Sequence, residues 1–286
     1  MTTSDRGPRR LSRRGLLFAG GGAVTLGGAG AAAYRYRTDD GPAGPVPDVR
    51  GTEVTSGSFV SQARKGAQCG WSIAAPADGL PVVVVLHGRR NDHRSAFARS
   101  HLALDRFLAA GMADGMPAFA IASVDGGDTY WHERSSGEDA GAMVVEEFLP
   151  LIAKRGLDTS RVALLGWSMG GFGALHLVPA LGSALQGVGV MSPALWHRYA
   201  DTSPGSYDDA ADFARVTIFG REETLAGVPL RVDCGKGDPF YPATRDLVAD
   251  LAPRPAGGFS RGGHDVGYWR RVVPGQLRFL ADALTA

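Results

Sequence analysis

The sequence predicts an α/β domain with a mostly parallel central sheet and helices on both faces. Short apolar runs rich in β-branched residues alternate along the chain with longer segments whose apolar residues recur at helical spacing. The run at 81–87, PVVVVLH, has no polar residue before its last position, as expected of a strand buried on both faces. After an N-terminal segment of different composition about 235 residues remain, which suits one domain with a single core.

Each predicted element rests on its local pattern. Continuous or alternating apolar runs bounded by turn residues predict strands at 68–76, 81–87, 118–124, 161–166, 187–192 and 229–235, followed by a short GGFS segment at 257–260. Apolar residues at helical spacing predict helices at 95–111, 140–156, 169–178, 244–251 and 268–284. A looser segment connects 193 to 228. Because strands joined by helices run parallel, ligands are expected beyond the carboxyl ends of the strands.

Composition and charge exclude several function classes. The 286-residue chain carries 30 Lys and Arg against 29 Asp and Glu, a formal net charge of +1. The sequence therefore gives no indication of the broad basic surface that nucleic-acid binding requires. The chain has no CxxC, HExxH or EF-hand motif, and His87 and His93 match no zinc-binding spacing. No metal site is therefore expected.

The first fifty residues differ in composition from the rest. Arg13 and Arg14 precede an uncharged segment rich in Gly and Ala at 15–33, which is typical of a twin-arginine export signal. A single-pass membrane anchor is the alternative. We predict an export signal at 1–35, cleaved or retained as an anchor, a Pro- and Gly-rich linker without packing contacts at 36–52, and the folded domain at 53–286. Membrane association would come from the N-terminal segment only.

Two cysteines, Cys69 and Cys234, fall in predicted strands that are distant in sequence. An exported protein meets an oxidising compartment, where a disulfide can form. In the predicted sheet these strands are well separated, which favours two buried thiols over a disulfide.

The strongest motif is a serine between a strand and a helix. The strand 161–166 ends at Gly166, Ser168 follows at the turn, and a helix begins with Met169. A residue at such a turn has a strained backbone, and the residues two before and two after it must be small, as Gly166 and Gly170 are. This arrangement is the nucleophile elbow of the α/β-hydrolase fold, here with a small cap or none.

A serine nucleophile needs a histidine base and a carboxylate that orients the base. In this fold the acid and then the histidine follow the serine along the chain. Asp238 lies in a Gly-rich loop directly after the strand 229–235, and His264 lies in a loop before the last helix. His197 comes before any strand that could supply the acid. We therefore predict a catalytic triad of Ser168, Asp238 and His264.

Two backbone amides are needed to stabilise the oxyanion that forms during acyl transfer. The residue after the nucleophile, Met169, supplies one. The loop after the first buried strand supplies the other, and Arg89 is best placed to do so. The alternative for this loop is a plain strand-ending turn.

With these segments placed, the chain resembles the esterase family that includes esterase D and the secreted mycolyltransferases of actinobacteria. The likeness extends from Trp71 to Trp269 and rests on four motifs: HGRR (87–90), GWSMGGFGAL (166–175), GxxDP (235–239) and HDVGYW (264–269). It implies carboxylester or thioester chemistry without a cofactor, the triad of Ser168, Asp238 and His264, and the oxyanion amides of Arg89 and Met169. The form SMGG matches the esterases of the family rather than its mycolyltransferases.

These observations predict an exported serine carboxylester hydrolase, extracellular or in the cell envelope, acting on a small-molecule, glycan or lipid ester. An acyltransferase acting on a sugar hydroxyl is the first alternative, and a non-catalytic binding module of the same fold is the second. Tyr130, Trp131 and Trp196 follow strands at the carboxyl edge of the sheet and are predicted to contact substrate. Packing in the core is the alternative for each of these aromatic residues.

Overall fold

Eight strands form the central sheet of residues 43–286, the part of the chain that this computed structural model describes. In the order of the sheet they are β1 (Val54–Ser61), β2 (Ala67–Ala74), β4 (Ala120–Val124), β3 (Pro81–Leu86), β5 (Asp158–Trp167), β6 (Leu185–Met191), β7 (Leu230–Gly235) and β8 (Ala256–Ser260). The strands from β4 to β8 run parallel, while β2 is antiparallel to both β1 and β4. The predicted, mostly parallel sheet of the α/β-hydrolase fold is confirmed.

Helices cover both faces of this sheet. They are α1 (Leu104–Ala113), α2 (Ala140–Ala142), α3 (Leu149–Ala153), α4 (Met169–His176), α5 (Val178–Leu181), α6 (Ala210–Val216), α7 (Tyr241–Asp250) and α8 (Val266–Thr285), with a π-helical turn at Met143–Phe148 between α2 and α3. Single 3-10 turns occur at His93–Ala96, Gly182–Ala184, Tyr199–Asp201 and Glu222–Leu225.

Alternate side chains of the central strand β3 enter two separate cores. Val82, Val84 and Leu86 pack in the core that contains α4. Val83 and Val85 pack in the core that contains α1 and α8. All six side chains of β3 are buried, which explains why its sequence is a continuous apolar run rather than an alternating one.

The structure differs from the predicted elements at β1 and ahead of α1. The strand β1 was not predicted, because it lies at the sheet edge and its serines and exposed positions give little apolar signal. The helix predicted at 95–111 is wrong in its first half, since α1 begins only at Leu104, after Ala103 in the left-handed region at φ 50°. In the segment before it, the guanidinium of Arg270 donates hydrogen bonds to the carbonyls of Arg99 and His101. These tertiary contacts hold the segment in a non-helical form.

The predictions for 1–35 and for 36–42 lie outside the described residues, but 43–52 can be compared. This stretch has no helix or strand, yet it packs on the domain, contrary to the prediction of a linker without contacts. Gly44 is buried against the backbone of α8 and donates to the carbonyl of Gly267 at 2.9 Å, and Thr52 donates to Asp105. The contacts are made by backbone groups, which side-chain composition does not indicate.

Cys69 lies on β2 and Cys234 on β7, at opposite sides of the sheet. Both are buried and neither forms a disulfide, in agreement with the prediction of two thiols. From residue 43 onward, no helix has the length and apolar character needed to cross a membrane.

Candidate active site

Ser168 occupies the sharp turn between β5 and α4. Its backbone lies at φ 55° and ψ −121°, a strained conformation for a residue with a side chain. The turn is so tight that only glycine fits at two positions. A Cβ at Gly166 would lie 2.0 Å from the Gly170 carbonyl oxygen, and one at Gly170 would lie 1.9 Å from that of Leu86. The Ser168 amide also donates to the Met191 carbonyl at 3.0 Å, which fixes the turn to β6. These contacts present the Ser168 hydroxyl beyond the carboxyl end of the sheet.

The loops after β7 and β8 bring a carboxylate and a histidine to this serine. His264 Nε2 lies 2.9 Å from Ser168 Oγ, and His264 Nδ1 lies 2.8 Å from Asp238 Oδ2. The other carboxylate oxygen of Asp238 accepts the Phe240 amide at 2.9 Å, and the Asp238 side chain is fully buried. With both oxygens held, Asp238 can accept Nδ1–H and leave Nε2 free to accept the serine proton. The structure therefore brings together the three residues predicted as a triad.

The loop after β3 stands beside the serine and is held by hydrogen bonds within itself, to the end of β4 and to the serine turn. His87 Nδ1 donates to the Gly88 carbonyl at 2.8 Å, and His87 Nε2 accepts the Gly126 amide at 3.0 Å, which fixes the loop to the end of β4. The indole N–H of Trp167, the residue before Ser168, donates to Asn91 Oδ1 at 3.2 Å. The loop and the serine turn are thus linked directly.

The amides of Arg89 and Met169 are available for a ligand. Within residues 43–286, neither amide donates a hydrogen bond to any protein acceptor. Met169 is the first residue of α4, where an amide has no partner inside the helix. The positive end of the helix dipole also lies there, which favours a developing negative charge.

These groups line an open cleft of about 540 Å³ above the serine. Besides Ser168 and His264, its walls contain a loop from Gly88 to Asn91 and the side chains of Tyr130, Ser203, Phe240, His101, Trp167, Asp265, Val266 and Trp269. Tyr130, one of the residues predicted to contact substrate, lines this cleft. Trp167 and Trp269 were not predicted to line the site, although Trp167 is next to Ser168 and Trp269 lies five residues after His264.

Trp131 and Trp196 do not line this cleft. Trp131 is fully buried, and its indole donates to the His87 carbonyl at 3.3 Å, so it supports the loop after β3 from below. Trp196 is buried between Tyr130, Tyr207 and Phe240, at ring-centroid distances of 5.9, 6.1 and 5.1 Å. Both residues therefore pack in the core, which was the alternative given for them.

Burial and neighbouring groups together shift the pKa values of other titratable side chains near the cleft. Burial, reinforced by the charge of Arg270, lowers the pKa of His101 to about 4, so this ring is neutral near pH 7. Burial alone would raise the pKa of Asp125, but the neighbouring His87 ring, the Gly127 amide that donates to Asp125 Oδ1 and the charge of Arg64 together lower it. In the described part of the chain, no group of three or more His, Cys, Asp or Glu side chains is arranged to bind a metal ion.

The fold and this site define an α/β-hydrolase with the geometry of a nucleophilic elbow. A family model described as "Putative esterase" matches residues 69–280, and the chain belongs to that family. The family assignment makes the protein a hydrolase of the esterase type. A search of curated proteins by sequence gives no match.

Solved structures of esterases share this fold. A ferulic acid esterase superposes with a TM-score of 0.68 at 19% identity, covering 81% of this chain and 98% of its own. An S-formylglutathione hydrolase from Agrobacterium tumefaciens gives 0.67 at 18% identity, covering 83% and 98%. The enterobactin esterase of Shigella flexneri gives 0.61 at 19% identity, covering 85% of this chain and 62% of its own. At these identities the likeness establishes the fold alone.

Proposed function

We propose that this chain is an exported serine carboxylester hydrolase that acts through an acyl-enzyme intermediate. The observation that carries the proposal is the continuous hydrogen-bonded chain from Ser168 through His264 to the buried Asp238. The two free amides beside Ser168 supply the second requirement, a site for an oxyanion.

The proposed reaction has two halves. His264 Nε2 accepts the proton of Ser168 Oγ as this oxygen attacks the ester carbonyl carbon, and Asp238 stabilises the imidazolium that results. The amides of Arg89 and Met169 bind the oxyanion of the tetrahedral intermediate. The imidazolium then protonates the departing alcohol, which leaves the acyl group on Ser168. In the second half, His264 takes a proton from a water molecule as its oxygen attacks the acyl carbon. The imidazolium then returns this proton to Ser168 Oγ as the bond to the acyl group breaks and the acid is released.

Ser168→Ala tests the proposal in the full-length chain. We expect hydrolysis of p-nitrophenyl acetate to fall by about a thousandfold or more, because the nucleophile acts as a unit with its base. A fluorophosphonate probe should label the unaltered chain and not the variant. Ser100→Ala is a suitable control, since Ser100 is exposed and lies outside the cleft. A folded Ser168→Ala chain that keeps its activity would refute the assignment, and a folded unaltered chain that is neither active nor labelled would favour a binding module.

A further inference from the structure

The cleft beside Ser168 has an uneven charge distribution. Besides His264, its charged side chains are Arg89, Arg90 and Asp265. Asp265 is already engaged, because its carboxylate caps α8 by accepting the Tyr268 amide at 2.9 Å. Arg89 is engaged as well, since its guanidinium donates to the Pro204 carbonyl at 2.7 Å and lies 4.0 Å from the Asp128 carboxylate.

Arg90 differs from these two residues. Its side chain is exposed, and within residues 43–286 its guanidinium forms neither a hydrogen bond nor an ion pair. No carboxylate of the described residues is therefore paired with this guanidinium, although the Asp128 carboxylate accepts the Arg90 backbone amide. A guanidinium placed in this way can bind a carboxylate through two parallel hydrogen bonds.

The backbone of Arg90 is held in place at a cost. Arg90 lies at φ 62°, in the left-handed region that glycine and asparagine adopt more easily. The Arg90 amide donates to Asp128 Oδ1 at 2.7 Å, and the Asn91 amide donates to the Gly88 carbonyl at 3.2 Å. This turn also carries the Arg89 amide, so the base of the Arg90 side chain is fixed relative to the position where the oxyanion would form.

We propose that Arg90 binds a carboxylate on the substrate and makes this site selective for esters that carry a negative charge. The inference rests on the proposed ester hydrolase function and narrows its substrate class. Arg89 adds a second positive charge at the same wall, and the Asp128 carboxylate 4.0 Å away offsets part of it.

Two matched pairs of esters test this selectivity in the full-length chain. p-Acetoxybenzoate and p-acetoxybenzamide differ in charge on the alcohol side. p-Nitrophenyl p-carboxybenzoate and p-nitrophenyl p-carbamoylbenzoate differ in charge on the acyl side. The measured quantity is the ratio of kcat/KM for the carboxylate to kcat/KM for the carboxamide. Comparing this ratio between protein variants cancels the intrinsic reactivity of the esters.

We expect Arg90→Gln to lower the ratio by about three- to tenfold in at least one pair, as loss of one partly exposed ion pair implies. Arg90→Lys should retain part of the preference, and added salt should reduce it in the unaltered chain. Arg94→Gln removes the same charge from an exposed residue outside the cleft and should leave the ratio unchanged.

Ratios in Arg90→Gln equal to those of the unaltered chain in both pairs would overturn the inference. If the neutral carboxamide esters are hydrolysed in that case, the proposed ester hydrolase function still stands. If a folded chain hydrolyses p-nitrophenyl acetate but none of the four esters, the selectivity alone is refuted. If it hydrolyses neither p-nitrophenyl acetate nor the four esters, the proposed function fails and the selectivity fails with it.

Discussion

Histidine side chains in this molecule behave differently because their surroundings differ. His264 has both ring nitrogens in hydrogen-bond contact, one with Asp238 and one with Ser168. His176, the last residue of α4, instead stacks on Phe172 with ring centroids 5.7 Å apart and lies 6.2 Å from the ring of His132. Burial, with the charge of His132 as a smaller cause, lowers the pKa of His176 to about 4. One residue type thus provides a candidate base at one position and a packed ring at the other.

The environment of His176 links stability to pH in a definite direction. Its pKa is about 4 in the folded chain against an ordinary 6.5, so the unfolded chain binds more protons between these two pH values. The free energy of unfolding should therefore fall as the pH falls from 6.5 towards 4. For this one residue, the fall in the free energy of unfolding between about pH 7 and about pH 4.5 is about 2 kcal/mol.

His176→Gln should remove this residue's share of the acid destabilisation. Urea unfolding of both chains at about pH 7 and about pH 4.5 measures the change in the free energy of unfolding between the two conditions. The comparison uses that change rather than the stability itself, because the substitution also alters packing at both pH values. Equal changes in the two chains would show that His176 does not contribute.

At the scale of the element, the turn from β5 to α4 depends on close approach of backbone segments. Gly170→Ala would place a Cβ 1.9 Å from the Leu86 carbonyl oxygen, and backbone cannot move away as a flexible side chain can. We expect a loss of more than about 3 kcal/mol in the free energy of unfolding, with loss of ester hydrolysis in any folded fraction. Urea unfolding and p-nitrophenyl acetate hydrolysis measure the two effects.

Gly66→Ala provides the contrast for this prediction. Gly66, in the turn between β1 and β2, has a left-handed backbone at φ 85°, but nothing lies within 4 Å of the Cβ position. Its substitution should cost only the backbone strain, about 1 kcal/mol. Similar losses in the free energy of unfolding of the two variants would show that the close backbone approach at Gly170 contributes nothing beyond ordinary backbone strain.

How far the sequence predicts an element depends on where the stabilising contacts lie. Strand β3 was predicted because its continuous apolar run is itself the signal of burial on both faces. The segment before α1 was mispredicted because Arg270, far along the chain, holds its carbonyls. Asp238 and His264 could be predicted as partners of Ser168 because the chain order of these residues is fixed in this fold. For Trp131, the sequence could not distinguish a substrate contact from packing in the core. Its burial depends on the neighbouring Gly173 and His87, which local sequence does not reveal.

At the scale of the whole molecule, the first described residues pack on the folded domain. Residues 43–52 lie along α1 and α8, and Gly44 contacts the backbone of α8 next to Gly267. Asp265 and Val266, at the start of the same helix, line the cleft. Gly44 therefore contacts the first turns of the helix whose N-terminal end lines the cleft.

The location of the protein decides which esters it meets, and Arg13 and Arg14 carry the proposal of export. In a bacterial host with a twin-arginine pathway, we expect the tagged full-length chain to leave the cytoplasm, because such a pair before a mildly apolar segment directs folded proteins across the membrane. Arg13→Lys with Arg14→Lys should retain the protein in the cytoplasm, as measured by cell fractionation. Arg9→Lys with Arg10→Lys, an adjacent pair outside the motif, serves as the control and should still be exported. If the unaltered chain stays in the cytoplasm at full length, export is refuted, and cytosolic thioesters replace extracellular and envelope esters as the first substrates to test.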